Sequence, residues 1–165
     1  MITVTLGVPV RRMPSATQLG DFLTDLLGKH VTATEQDTEL ATDDPTGLLC
    51  GVLVDEEGHV GGACVADSAA AAYAGASLAM IAKPVADEAI AAGALTATLT
   101  ANFSEVVNIL TGIVNTPIHA HLRLSGVEAG VPDSVRDLLI KATGRTTFAI
   151  DVADYGTGRI ALFAR

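Results

Sequence analysis

The sequence predicts an α+β domain: a mainly antiparallel sheet carrying two β-hairpins, packed by amphipathic helices, in one unit over residues 1–165. Three observations point that way. Apolar runs over 48–54 and 59–65 flank Asp55-Glu56-Glu57-Gly58, the pattern of a hairpin with an acidic tip. Phe148, Ile150 and Val152 alternate before a glycine-rich turn over 154–158, and Ile160 and Leu162 complete a second hairpin after it. The remaining apolar residues recur at helical spacing in separate blocks, so helices gather beside hairpin-paired strands instead of alternating with parallel ones.

In chain order, Pro14 and Ser15 open the first helix. Ser15 with Gln18 makes a capping-box pattern, and Leu19, Phe22, Leu23, Leu26 and Leu27 fall on one face before Gly28, Lys29 and His30 close it. Residues 31–35 alternate like a short strand, and 36–47 are a polar loop. After the first hairpin, Asp67 caps an alanine-rich helix that reaches about Ile81 and is broken by Pro84. A short helix over 85–92 stops at Gly93, and 95–115 is the longest periodic segment. A strand over 118–124 and a brief helix over 132–143 precede the second hairpin. No linker composition divides the chain. Asp21, Thr24 and Gly28 repeat the spacing of Glu105, Asn108 and Gly112, a faint duplication, although Gly28 also reads as an ordinary helix C-cap.

Composition and charge exclude several function classes. The apolar share is 49% with only four Phe and two Tyr, so alanine, valine and leucine fill the interior. A chain of 165 residues buries a core without disulfides or a structural metal. Cys50 and Cys64 lack a Cys-x-x-Cys spacing and read as buried thiols in a reducing cytosol, which gives a cytoplasmic location. The first residues show no basic start followed by an apolar block, so no secretory signal is expected, and no run is an unbroken membrane span. Ten Lys plus Arg against nineteen Asp plus Glu give a net charge of −9, which repels phosphate backbones and anionic lipid: no nucleic acid and no membrane partner is expected. The acids gather at Glu35, Asp37, Glu39, Asp43 and Asp44 and at Asp55, Glu56 and Glu57, as a solvated loop and a hairpin tip would have them.

The segment over 95–115 carries the functional information. At about 100° per residue, Leu99, Phe103, Val106, Val107, Leu110, Ile113 and Val114 share one face, which is the core face. The opposite face holds Thr98, Ala101, Glu105, Asn108, Gly112 and Asn115. A solvated helix surface usually carries Lys, Glu and Arg. This one has a single carboxylate, two carboxamides and a mid-helix glycine that costs about 1 kcal/mol against alanine and lets another backbone come close. Glu105 and Asn108, three apart, project side by side. Other constellations are weaker. His119 and His121 alternate on the expected strand and so share a side, but no third metal ligand accompanies them. The glycines of 154–158 precede no helix and so make no phosphate loop, and Ser, His and Asp are not ordered as a triad.

The run Phe103-Ser104-Glu105-Val106-Val107-Asn108-Ile109-Leu110-Thr111-Gly112 resembles the Glu-x-x-Asn motif of the CheC/CheX/FliY family of chemotaxis phosphatases, and the order of elements is similar to that of CheX over nearly the whole chain. The resemblance implies a CheC/CheX-like fold and hydrolysis of the aspartyl phosphate of a CheY-type response regulator. It implies that Asn108 orients the attacking water and Glu105 engages the regulator's active site, with Thr98, Ala101, Gly112 and Asn115 as the surrounding binding surface. It implies no cofactor on this chain, since the receiver domain supplies magnesium. The family pattern has Asp or Ser where this chain has Ala101, and its proline falls one position before Pro132. A second reading therefore stands beside the first: a non-catalytic binding module or homodimer of the same fold, like the relatives that became parts of the flagellar switch. Lys83, Arg123, Arg136 and Lys141 are the basic residues available to meet an acidic receiver, and edge strands from either hairpin could pair across a two-fold axis.

Overall fold

The computed structural model describes residues 10–43 and 46–165. The expectation about a secretory signal falls on residues outside these, as does Asp44. In chain order the elements are α1 (Ala16–Leu27), β1 (Val31–Glu35), β2 (Leu48–Val54), β3 (Val60–Asp67), α2 (Ser68–Leu78), α3 (Lys83–Ala92), α4 (Ala97–Val114), β4 (Arg123–Ala129), α5 (Asp133–Lys141), β5 (Gly144–Val152) and β6 (Gly156–Ala164). The strands form one sheet in the order β1-β5-β6-β3-β2-β4, with every neighbouring pair antiparallel. This is the mixed, mainly antiparallel architecture with flanking helices that the sequence predicts.

Side-chain alternation divides the core in two. Leu49 and Leu53 of β2, Cys64 and Ala66 of β3, and Phe148, Ile150, Ile160 and Leu162 of the second hairpin pack under α1, α2 and α4. The intervening residues Cys50, Val52, Val54, Ala63, Val65 and Phe163 meet Val135 and Leu138 of α5 on the other face. Cys50 and Cys64 are accordingly free, buried thiols on opposite faces, and burial pushes the Cys50 thiol up to about 12.

Two close approaches hold α4. A Cβ on Gly75 of α2 would lie 2.7 Å from the Leu99 carbonyl oxygen, so only glycine lets the two helix backbones meet there, and Asn102 Nδ2 donates to the Gly75 carbonyl at 3.1 Å. A Cβ on Gly51 of β2 would fall 2.8 Å from Val107 Cγ1, which seats the middle of α4 on the sheet. The Thr96 hydroxyl caps the helix by accepting from Leu99 N at 3.1 Å. With mean hydropathy 1.2, α4 is by length and composition the one helix among the described residues able to cross a membrane; its apolar stripe is the core face seen above.

Several boundaries differ from expectation. Neither hairpin offers an edge strand, because β2, β3, β5 and β6 all lie inside the sheet, which ends in β1 and β4. The start of the β1 edge is covered by α1: Val31 N donates to the Thr24 hydroxyl at 2.9 Å, and that hydroxyl donates to the Gly20 carbonyl at 2.7 Å. Thr24 is thus occupied and Gly28 is a left-handed C-cap, so the suggested duplicate of the Glu105-Asn108-Gly112 pattern is structural in α1. Among the described residues β4 pairs only with β2, with a bulge where Val52 and Leu53 meet Gly126 and Leu124.

The strand expected over 118–124 is displaced to Arg123–Ala129. Residues 115–122 form an irregular connection because the Asn115 carboxamide takes the place of a strand partner for Leu122, accepting from its N–H at 2.8 Å and donating to its carbonyl at 2.9 Å. The buried Arg11 guanidinium fixes the same connection, donating through Nε to the Arg165 carbonyl at 2.7 Å and through its two terminal nitrogens to the Val114 and Ala120 carbonyls at 3.1 Å. His119 therefore lies off the sheet, its Nδ1 at 2.6 Å from the Thr116 hydroxyl. The glycine-rich turn over 154–158 is shorter than expected: the turn is 153–155, and Gly156 and Gly158 belong to β6. A Cβ on Gly158 would sit 2.2 Å from Ala70 N, so glycine here serves packing of β6 against the start of α2. The alanine-rich helix stops at Leu78, three residues early, where the chain turns through Met80 at φ 55°.

Candidate functional site

The α4 helix displays its two faces as its sequence dictates. Leu99, Phe103, Val106, Val107, Leu110 and Val114 are buried, with Ile113 at their margin. Thr98, Ala101, Glu105, Asn108 and Gly112 are exposed on the other side. The side chains of Glu105 and Asn108 make no hydrogen bond or ion pair among the described residues, so an exposed carboxylate and an exposed carboxamide stand one helical turn apart on α4. Nothing lies within 4 Å of where a Gly112 Cβ would be. The close approach its presence allows is therefore not made among the described residues. Asn115 belongs to the same face in sequence but not in use: it is half-buried and its carboxamide is spent on Leu122.

Beside this ridge a shallow groove of about 240 Å³ separates α4 from the start of β4, lined by Asn108, Ile109, Thr111, Gly112, Asn115, His121, Leu122 and Arg123. Of the four basic residues the sequence offered, Arg123 alone lines this groove. Lys83 is bonded to Asp87 at 2.8 Å, Arg136 to Asp133 at 3.1 Å and Lys141 to Asp137 at 3.1 Å. Ile109, 39% exposed, and His121 complete the surroundings; sequence reasoning assigned Ile109 to neither face and placed His121 on a strand. The spacing of Ile109, four after Glu105 and three before Gly112, was the available signal for it.

Among the described residues no cluster of three or more His, Cys, Asp or Glu side chains is arranged to hold a metal ion. Of the acids of the first hairpin, Asp55 serves its turn: its carboxylate accepts from Glu57 N at 3.0 Å and His59 N at 2.9 Å, and the His59 backbone bond foremost holds its pKa below the usual carboxylate range.

No family model and no curated protein sequence matches the chain. Solved structures do. The FliM middle domain of Vibrio alginolyticus superposes with a TM-score of 0.60 at 11% identity, covering 90% of this chain and 86% of that one. The FliM–SpeE complex from H. pylori contains a chain that matches with a TM-score of 0.59 at 9% identity, over 90% of this chain and 80% of that one. The fold is the FliM type. A CheX–CheY–BeF3–Mg complex from Borrelia burgdorferi matches more loosely, with a TM-score of 0.49 at 14% identity over 88% of this chain and 91% of that chain. At these identities the likeness speaks for the fold.

Proposed function

We propose that the chain is a protein-docking module of the CheC/CheX/FliM fold, with the outer face of α4 as its contact ridge and a CheY-type receiver domain as its partner. The observation that carries this reading is the bare pair Glu105 and Asn108 beside an unobstructed Gly112. Glycine in the last turn of α4 costs up to about 1 kcal/mol against alanine, and no contact among the described residues recovers it. The FliM domain it resembles was crystallised in complex with another protein, SpeE, which supports a binding role for the fold. The same reading takes the chain to be cytoplasmic, with neither nucleic acid nor membrane as partner.

A second reading, CheX-like hydrolysis of the receiver's aspartyl phosphate, is favoured by one specific observation: the side chains that the Glu-x-x-Asn resemblance assigns to the reaction are adjacent and uncovered. The chemistry asks little of this chain. An acyl phosphate is a high-energy bond, and the receiver contributes the magnesium and lysine that neutralise the transferring group. Asn108 would fix a water in line while Glu105 engages the receiver pocket. A hundredfold acceleration corresponds to about 2.7 kcal/mol, within reach of one positioned amide.

One experiment separates the two. A panel of CheY-type receivers is phosphorylated and mixed with the chain; binding and phosphate loss are both followed, for wild type and for the Glu105→Ala, Asn108→Ala double variant. Binding of wild type without faster phosphate loss supports the docking module. Faster loss that the double variant abolishes supports the phosphatase. Absence of binding to every receiver removes both.

A further inference from the structure

We infer that the groove between α4 and β4 seats a carboxylate-bearing loop of the docked protein, with Arg123 as its ion-pairing residue. The inference rests on the docking reading and names the chemistry of the partner at that site. Its first support is charge. The chain carries nineteen acidic residues and a net charge of −9, yet no carboxylate lines this groove. Among the residues that line it, Arg123, Asn108 and His121 can donate hydrogen bonds. Arg123 is exposed and makes no ion pair among the described residues, whereas Lys29, Lys83, Arg136, Lys141, Arg145 and Arg165 are each paired with an acid of this chain. A planar fork with five donors left unpaired beside a carboxamide suits a carboxylate.

The second support is backbone access. Of the described glycines, Gly112 and Gly126 alone combine an ordinary φ with nothing within 4 Å of a Cβ. Gly126 lies at the bulge of β4 on β2, whereas Gly112, on the outer face of α4 and in the lining of the groove, is explained by neither a turn nor packing among the described residues. The groove itself holds about 240 Å³, too small for a cofactor and enough for one side-chain head group with its water. An opposing field comes from the hairpin tip, where Asp55, Glu56 and Glu57 line the next depression with His121 between the two. Those acids screen Arg123 at a distance, so the site favours a carboxylate delivered into the groove over a diffuse acidic surface.

The test uses the full chain and two small probes at constant ionic strength, a blocked tetra-aspartate peptide and inorganic phosphate, read by NMR at backbone amides and at arginine Nε–H groups. The peptide should shift Arg123, Asn108 and Gly112 saturably, leave the exposed Arg12 unmoved, and bind at least tenfold more weakly to R123Q, whose other resonances stay in place. No saturable shift, equal shifts at Arg12, or full retention in R123Q overturns the inference. Saturation by phosphate alone overturns it too, by making the groove a phosphate site. Because neither probe is a receiver, this result is separate from the receiver assay: the docking reading can fail there while the groove is judged here.

Discussion

Replacing Gly112 by alanine should make the protein more stable and a poorer partner. The residue sits in the last turns of α4 with helical backbone, and the added Cβ would meet nothing within 4 Å. No clash subtracts from the gain, which at this position near the helix end is about 0.4–1 kcal/mol. For a domain of this size that raises the melting temperature by up to about 2–4 °C. Differential scanning calorimetry on both proteins, with urea unfolding as a check that the slope is unchanged, measures it. On the docking face the same methyl group stands where a partner's backbone would come, and affinity for a receiver that binds wild type should fall. A lower or unchanged melting temperature would refute the claim that packing among the described residues makes no use of the glycine. A higher one with binding intact would remove docking as the reason for it.

Three further outcomes follow from the packing and hydrogen bonds. Gly158→Ala should cost more than about 3 kcal/mol in urea unfolding, since its Cβ would lie 2.2 Å from Ala70 N and 2.5 Å from Ala70 Cα, backbone atoms that cannot rotate away. Asn115→Ala should cost about 2 kcal/mol by leaving the Leu122 N–H and carbonyl without their partner, and should speed hydrogen exchange at the Leu122 amide by more than tenfold. Asp87 accepts from Lys83 at 2.8 Å and from the Tyr73 hydroxyl at 2.7 Å, and these bonds, the Lys83 one first, hold its pKa below the usual carboxylate range. The unfolded chain then binds the extra proton more readily, so the contribution of Asp87 is full above the unfolded pKa and is lost as pH falls through the folded one. The stability gap between wild type and Asp87→Asn should be present at pH 7 and close in acid, below about pH 4.

Much of the fold was legible because local rules agreed with tertiary demand. Ser15 accepts from Gln18 N and Asp67 from Ala70 N as their spacing predicts, and the period of α4 separates its buried and exposed faces. Both hairpins pair as read. The failures share a cause. Ile118, Ala120, Leu122 and Leu124 alternate like a strand, yet Ile118 is 69% exposed and Leu122 is buried by a side-chain clamp whose partner, Asn115, is seven residues away. The true strand, β4, reads Arg-Leu-Ser-Gly-Val-Glu-Ala; it is an edge with a bulge, and such strands carry little β-signal of their own. Gly156 and Gly158 look like turn residues because the reason for them is long-range, the ring of Tyr73 at 2.8 Å from a Gly156 Cβ and the backbone of Ala70 at Gly158. The same division holds at the site. The exposed placement of Glu105, Asn108 and Gly112 follows from periodicity, whereas the nearness of Arg123 and His121 depends on how β4 returns along α4, which no local pattern encodes.

The most direct measurement is a hydrogen-exchange footprint of the chain with and without a beryllofluoride-activated CheY-type receiver that it binds. The account predicts slowed exchange along the exposed side of α4 and at the start of β4, with the α5 face unchanged, and loss of that footprint in the Glu105→Ala, Asn108→Ala double variant. Slowed exchange confined to α5 or to the β1 edge, or a footprint that the double variant retains in full, would contradict it.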